Sequence, residues 1–370
     1  MPHVLVISNY GDSLNAVRPE GRLYVGLMRD FGWRVSFLTQ AKGAYVEVLR
    51  AAGAEIIDGE LTKKLDRAGR RQIVQILQRP GQAIDVLHLY NNKAIVNGIA
   101  AAKQIKWPGL LLTYRGYTGN VNWWDPTAYW MHLNPRVDAI TCVSPAVKEV
   151  FDRLGKSYAQ KAHVVGKGHD PAWYADIKAA DLQEDLGIPA NRKVVIIIAN
   201  ARRMKGMNYL DAAIKALPPN LGLHFLYVGR GLDTPATKEA FADSHYARQF
   251  SFAGFRTDVL SLIKAADISL LPSVKGEGLS KVLLESMFLG KATIMTDIGG
   301  NRNLGIDGET CLIIPPKDPA AIVDALQRLA EEGPLCQRLG EGAKAYMNEH
   351  YHADRTAAEL NELYCSLLKA

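Results

Sequence analysis

No apolar run in these 370 residues approaches the roughly eighteen that cross a bilayer, so no membrane-spanning helix is expected. Cysteine is scarce. Cys142, Cys311, Cys336 and Cys365 stand far apart with no C-x-x-C pair, which argues against disulfides and structural zinc and for a reducing compartment. The start, Met1-Pro2-His3-Val4-Leu5-Val6-Ile7-Ser8, has no basic segment and only a short apolar run. It reads as a buried first strand rather than a signal peptide, so a cytoplasmic location is expected. A Walker A sequence is missing. The first strand runs into Asn9-Tyr10-Gly11-Asp12 instead of a G-x-G-x-x-G turn, which disfavours dinucleotide binding there. An Asp-x-Asp pair, the common carboxylate clamp for a metal-bound diphosphate, is also absent. The nine histidines give one i+2 pair, His350 and His352, and no H-E-x-x-H, so neither a metal nor a cofactor is expected.

What is present is ordinary for a globular protein: 48% hydrophobic and 22% charged residues. The length exceeds what one core usually serves, so two domains are expected. Charge is uneven. Residues 1–170 hold 22 Lys and Arg against 14 Asp and Glu, whereas the remaining 200 hold 22 against 24. The first half therefore faces something anionic: nucleic acid, a membrane surface or an anionic substrate.

Apolar strand patterns fall at 4–8, 35–39, 86–90, 110–114 and 139–143, with helical patterns between them, as at 21–31 and 97–105. The second half repeats the scheme, with strands at 194–199, 223–228, 250–253, 268–272 and 292–296 and helices at 207–216, 258–265, 280–288 and 319–331. Strands alternating with helices imply an α/β protein with parallel sheets. Two such series predict two Rossmann-like, doubly wound domains facing across a cleft. The expected division is 1–170 and 171–353, with the boundary in the Gly- and Pro-bearing stretch 166–185 and a last helix near 354–370 returning to the first domain.

The most informative segment is Glu277-Gly278-Leu279-Ser280-Lys281-Val282-Leu283-Leu284-Glu285, two carboxylates with seven residues between them. It follows an apolar strand, and its helix is expected to begin near Gly278. A helix N-terminus after a parallel strand is an anion site, because free N–H groups and the helix dipole point at the ligand. Acids there make sense when they bind hydroxyls and cations elsewhere neutralise the anion. Those cations stand in Asn200-Ala201-Arg202-Arg203-Met204-Lys205-Gly206, directly after the strand at 194–199. Arg grips two phosphate oxygens and Lys supplies a compact charge. Val228-Gly229-Arg230-Gly231 reads as a tight turn. Ala253-Gly254-Phe255-Arg256-Thr257-Asp258 suits either a nucleobase or an ordinary loop ending in an Asp cap. Tyr114-Arg115-Gly116-Tyr117 through Asn122-Trp123-Trp124 suits carbohydrate stacking, or else its tryptophans pack their own loop. Over 61–79 a basic helix is expected, with Lys63, Lys64, Arg67, Arg70 and Arg71 on one face and Leu65, Ile73, Ile76 and Leu77 opposite. Such a helix either docks on anionic lipid or presents a solvated face.

Arg203-Met204-Lys205-Gly206, the Glu277-to-Glu285 element, Thr296-Asp297-Ile298-Gly299-Gly300-Asn301 and Ile313-Ile314-Pro315-Pro316-Lys317-Asp318 resemble the family 4 retaining glycosyltransferases of the GT-B fold. In the first half Asp85-Val86-Leu87-His88, Val143-Ser144-Pro145 and Gly166-Lys167-Gly168-His169-Asp170 follow the family's order. The resemblance implies a nucleotide-diphosphate sugar donor held by the second domain without a metal. Arg203 and Lys205 would match the diphosphate cations, Glu285 the acid on the ribose, and Glu277 the acid near the transferred sugar. Gly278, Leu279 and Ser280 would lie close to sugar and phosphates, with Phe255 and Arg256 also on the donor. Tyr114, Gly116 and His88 would lie on the acceptor side. Arg115 stands where many relatives carry a histidine, and would serve catalysis by stabilising charge rather than as a base. The implied reaction moves a sugar to a glycan or glycolipid acceptor, as in lipopolysaccharide or other envelope assembly, by an enzyme peripheral on the inner face of the cytoplasmic membrane. A nucleotide-sugar epimerase of the same fold and a basic, non-enzymatic binding module for membrane or nucleic acid are the alternatives; nucleic acid is not the expected partner.

Overall fold

The computed structural model describes residues 1–9, 14–119 and 121–369, and over 14–17 the backbone alone. The segment Asn9-Tyr10-Gly11-Asp12 after the first strand falls mostly outside these residues. The chain divides into two units, residues 1–170 with 351–370, and residues 171–350.

The first unit is built on a seven-stranded sheet. In chain order the strands are β1 (His3–Ile7), β2 (Arg34–Thr39), β3 (Glu55–Asp58), β4 (Val86–Leu89), β5 (Leu110–Arg115), β6 (Ala139–Cys142) and β7 (Ala162–Val164). Their order across the sheet is β3-β2-β1-β4-β5-β6-β7 and every pairing is parallel. Strands this apolar, buried on both faces, need helices on both sides. The second unit repeats the plan with β8 (Lys193–Ile198), β9 (Leu223–Val228), β10 (Phe250–Gly254), β11 (Ile268–Leu271), β12 (Ala292–Thr296) and β13 (Leu312–Ile314). Its order is β10-β9-β8-β11-β12-β13, again all parallel. Both sheets are therefore doubly wound, with switch points at β1/β4 and β8/β11.

The last helix, Ala353–Lys369, packs on the helix Leu14–Phe31 of the first unit. Leu360, Leu363 and Tyr364 bury among Tyr24, Leu27 and Trp33, and Trp33 Nε1 donates to Asn361 Oδ1 at 2.8 Å. Each such apolar side chain contributes roughly 1.5–3 kcal/mol, so burial outweighs the ion pair of Arg29 with Asp354, which is half exposed and contributes about 0–1 kcal/mol.

The basic segment is shorter than its sequence pattern implies. The helix runs Arg67–Leu77, capped by Asp66, whose carboxylate accepts from Gly69 N. Lys63 and Lys64 fall in the preceding loop and Leu65 is exposed. Ile73, Ile76 and Leu77 are buried in the unit's own core. The helix thus offers solvent a charged face and keeps no apolar face for a bilayer.

Candidate active site

In the second unit the loops after β8 and β11 leave the sheet on either side of its switch point, where open parallel sheets form a crevice at their carboxyl ends. The first loop contains the 3₁₀ turn Arg203–Lys205 and ends at Gly206. Gly206 has φ +71°, and a Cβ there would sit 2.0 Å from Pro272 O. Glycine alone lets the two loops close on each other, and Val274 N then donates to Met204 O at 2.8 Å. This contact brings Lys205 Nζ within 2.5 Å of Glu277 Oε1, while Ser273 Oγ donates to the same oxygen at 2.8 Å. Both charged side chains are mostly buried.

A third strand end supports the pair. Thr296 Oγ1, at the end of β12, donates to Ser273 O at 2.5 Å. A Cβ on Gly300 would lie 2.3 Å from Glu277 O, so the small residue is required for the β12 loop to lie against the glutamate's backbone. The side-chain amide of the fully buried Asn301 donates to Thr296 O at 3.3 Å.

The helix begins at Lys281, not near Gly278, and runs to Phe288. Ser280 takes the N-cap position with extended backbone, yet its hydroxyl makes no capping bond. The first N–H groups of the helix are therefore not answered by their own cap, which suits an anion. Gly278 and Ser280 are buried at this end and Leu279 is half-buried. Glu285 lies little more than one turn in, 5% exposed, with Lys281 Nζ 3.5 Å from its carboxylate.

Beside the pair a cavity of about 480 Å³ opens at the ends of β8, β9 and β10. Asn200, Lys205, Arg230, Phe255, Arg256 and Val282 help line it. Phe255 is exposed, and the guanidinium of Arg230 lies 4.6 Å over its ring. The sequence reads Val228-Gly229-Arg230-Gly231 as a tight turn only; nothing in it places Arg230 opposite Phe255, because β9 leads to the one and β10 to the other. Arg256 lines the cavity but grips Asp258 in bidentate fashion, at 2.8 and 2.6 Å. That hydrogen-bonded pair holds the Arg256 guanidinium above its ordinary pKa and the Asp258 carboxyl below its own. Arg203 is exposed, without an ion pair among the described residues.

In the first unit two expectations change. His88 is fully buried: Tyr364 Oη lies 2.7 Å and Tyr24 Oη 2.9 Å from its Nδ1, and Thr141 Oγ1 lies 2.9 Å from Nε2. Burial pulls its pKa down to about 3, so it is a neutral core group with no face for an acceptor. Arg115 is equally buried and braces its own loop. Its Nε donates to Tyr117 O at 3.0 Å, its Nη2 donates to Gly119 O, and its guanidinium stacks 3.6 Å from the Tyr117 ring. Its polar contacts are thus with its own loop.

Tyr114 stacks on Tyr90 with centroids 4.8 Å apart, and Gly116 follows it in the partly exposed loop. Lys167 Nζ lies 4.8 Å over the Tyr114 ring and 3.4 Å from Glu20 Oε2. Desolvation pulls the Lys167 ammonium down, but Tyr114 and Glu20 outweigh it and hold its pKa above the ordinary value. This pairing joins residues 147 positions apart, which no local pattern reveals. Among the described residues no three His, Cys, Asp or Glu side chains group as metal ligands, and no helix is long and apolar enough to cross a membrane.

Comparison with known proteins agrees with this geometry. Residues 178–346 match the family described as "Glycosyl transferases group 1". The N-acetyl-alpha-D-glucosaminyl L-malate synthase of Bacillus anthracis is 24% identical over 82% of this chain and 80% of its own. The lipopolysaccharide core biosynthesis mannosyltransferase of Rhizobium meliloti (strain 1021) is 24% identical over 92% of this chain and 97% of its own. The crystal structure of Anabaena HepE, solved with UDP, superposes with a TM-score of 0.76 at 18% identity over 99% of this chain and 100% of that one. That likeness carries the two-domain GT-B fold.

Proposed function

We propose, from the match of residues 178–346 to the group 1 glycosyltransferases, that the chain is a retaining enzyme of the GT-B fold taking a sugar from a nucleotide-diphosphate donor to a lipid-linked or polysaccharide acceptor. The observation that carries this reading is the Lys205–Glu277 pair at the β8/β11 switch point, beside the start of the helix Lys281–Phe288 and a cavity large enough for a nucleoside. Its residues divide the donor between them. Lys205 and the free guanidinium of Arg203 neutralise the diphosphate, so that this chain's own cations, rather than a metal, take the leaving charge. The unanswered N–H groups of the helix start add to that field. Glu277, fixed by Ser273, holds sugar hydroxyls, and Glu285 the ribose. Phe255 under Arg230 offers a face for the base. The first unit binds the acceptor.

Such a site positions the donor and stabilises charge. Front-face transfer, in which the departing phosphate oxygen takes the acceptor's proton, fits a site of that kind. The likeness to a lipopolysaccharide core mannosyltransferase supports trying envelope glycans as acceptors.

Calorimetry with UDP-, GDP-, ADP-, CMP- and TDP-sugars tests the donor reading, and NMR of the product anomer tests retention. Unaltered affinity for every nucleotide sugar in Lys205→Ala would overturn the donor assignment. Incubation with donor alone distinguishes transfer from epimerisation: release of free nucleotide with an epimer sinks the transferase reading.

A further inference from the structure

The structure places five large aromatic side chains in water between residues 117 and 130 of the first unit. Trp123, Trp124 and Trp130 are 64%, 65% and 58% exposed, and Tyr117 and Tyr129 are also open. A globular protein seldom leaves three neighbouring tryptophans in solvent without a partner for them. Trp123 and Trp124 touch each other edge to face, yet both stay largely in solvent.

We propose that this aromatic loop inserts into the interfacial layer of an anionic bilayer and docks the enzyme beside a lipid-linked acceptor. Tryptophan and tyrosine favour that layer, because the ring is apolar and its N–H or O–H stays wet. The alternative occupant, a glycan chain, needs ring faces aligned along the sugar. Trp123 and Trp124 stand edge to face, with centroids 5.4 Å apart and planes at 84°, so the two faces cannot serve one linear chain together. Insertion imposes no such alignment. The charge agrees: residues 1–170 hold 22 Lys and Arg against 14 Asp and Glu. Tyr129 is bonded to Tyr158, on the helix Lys156–Lys161, and the exposed Lys156 heads that helix. Apolar anchors with a basic surround are the two signals that stable peripheral binding needs. The helix Arg67–Leu77 supplies charge alone, since Ile73, Ile76 and Leu77 are already buried. The apolar part of the anchor therefore has to come from elsewhere, and the loop supplies it.

The inference rests on the proposal of a lipid-linked acceptor, but its test needs neither acceptor nor donor. The full chain is floated with vesicles of phosphatidylcholine alone or with roughly one-quarter phosphatidylglycerol. Expected are flotation with the anionic vesicles and a blue shift of tryptophan fluorescence. The triple variant W123S/W124S/W130S should partition about tenfold more weakly. It should melt at the wild-type temperature and bind UDP unchanged, since all three positions are exposed. The corresponding triple phenylalanine variant should retain most of the flotation. Flotation unchanged in the serine variant overturns the proposal. So does a wild-type chain that ignores vesicles while soluble glycan quenches its tryptophans, which would assign the loop to carbohydrate. Failed flotation with intact UDP binding condemns the docking surface and leaves the donor site standing.

Discussion

Lys205 Nζ lies 2.5 Å from Glu277 Oε1, the one side chain leaving the end of β8 and the other the end of β11. In the resting site the two charges satisfy each other. On the proposed function, a diphosphate would offer Lys205 a stronger anion, and Glu277 would be released to sugar hydroxyls while Ser273 keeps its carboxylate in place.

Glu277→Gln separates the two jobs. The amide oxygen keeps the bond from Ser273, but Lys205 loses its resident anion and becomes freer for phosphate. Nucleoside diphosphate should bind as tightly as before or more tightly, while the rate of sugar transfer falls about 10²–10³-fold. Equilibrium binding and single-turnover transfer on the same preparation check this. A parallel loss in both would mean that the glutamate holds the nucleotide and not the sugar.

Gly206→Ala should damage the site without touching a charged residue. The residue has φ +71°, and its new Cβ would meet Pro272 O at 2.0 Å. Relief requires the β8 and β11 loops to part, which breaks the bond from Val274 N to Met204 O and displaces Lys205. A cost of about 1–3 kcal/mol in stability is expected, with donor affinity down by about tenfold or more. Thermal melting and calorimetry measure the two; a variant that binds donor normally would show that the loops have slack.

The sheets were readable because ten of their strands are strongly apolar segments separated by helical periodicity. The three strands that escape notice, β3, β7 and β13, have only three or four residues and lie at sheet edges, where pairing rather than pattern defines them. The helix Gly333–His350 escapes too, because two internal glycines and a mixed face hide its period. At the site, the sequence offers Glu277 and Lys205 as candidates for one ligand, but it could not show that they touch, since 72 residues separate them. The family resemblance put His88 on the acceptor side and Arg115 in catalysis; only the structure shows the one buried in the core and the other bonded to its own loop.

Arg115→Ala gives a direct check of that last point. The guanidinium carries two loop carbonyls and the face of Tyr117, and burial lowers its pKa without displacing it from that work. Its removal strips two part-buried loop carbonyls of their donor, at about 0.5–1.5 kcal/mol each, and takes the stacking partner from Tyr117. The expected result is a lower melting temperature with unchanged donor affinity and little change in the rate per folded molecule. A drop of about a hundredfold or more in that rate, with the fold intact, would return Arg115 to catalysis.

Acid should loosen the first unit above all, in a pH range set by its buried histidines. Burial lowers His88 and His132 in the first unit to a pKa of about 3, and His224 in the second to about 4, against 6.5 for a free imidazole. Below pH 6.5 the unfolded chain takes up protons that the folded chain refuses. The stabilisation is therefore complete above pH 6.5 and lost progressively as the pH falls towards the folded values. Each histidine costs about 1.4 kcal/mol between pH 7.5 and pH 5.5, so the first unit should lose about twice that; in the second unit burial raises Asp211 to about 6, and its protonation in the folded state offsets part of the loss from His224. His3 and His163 shift in the same direction and add to the loss in the first unit. Asp66, Asp354 and Glu55 are also lowered, but they act only below the ordinary carboxylate range and cannot mask the effect. Urea titrations followed across this pH range should show midpoints falling steadily with acid. Midpoints that stay flat down to pH 5.5 would mean that these imidazoles open to water and accept protons in the folded state.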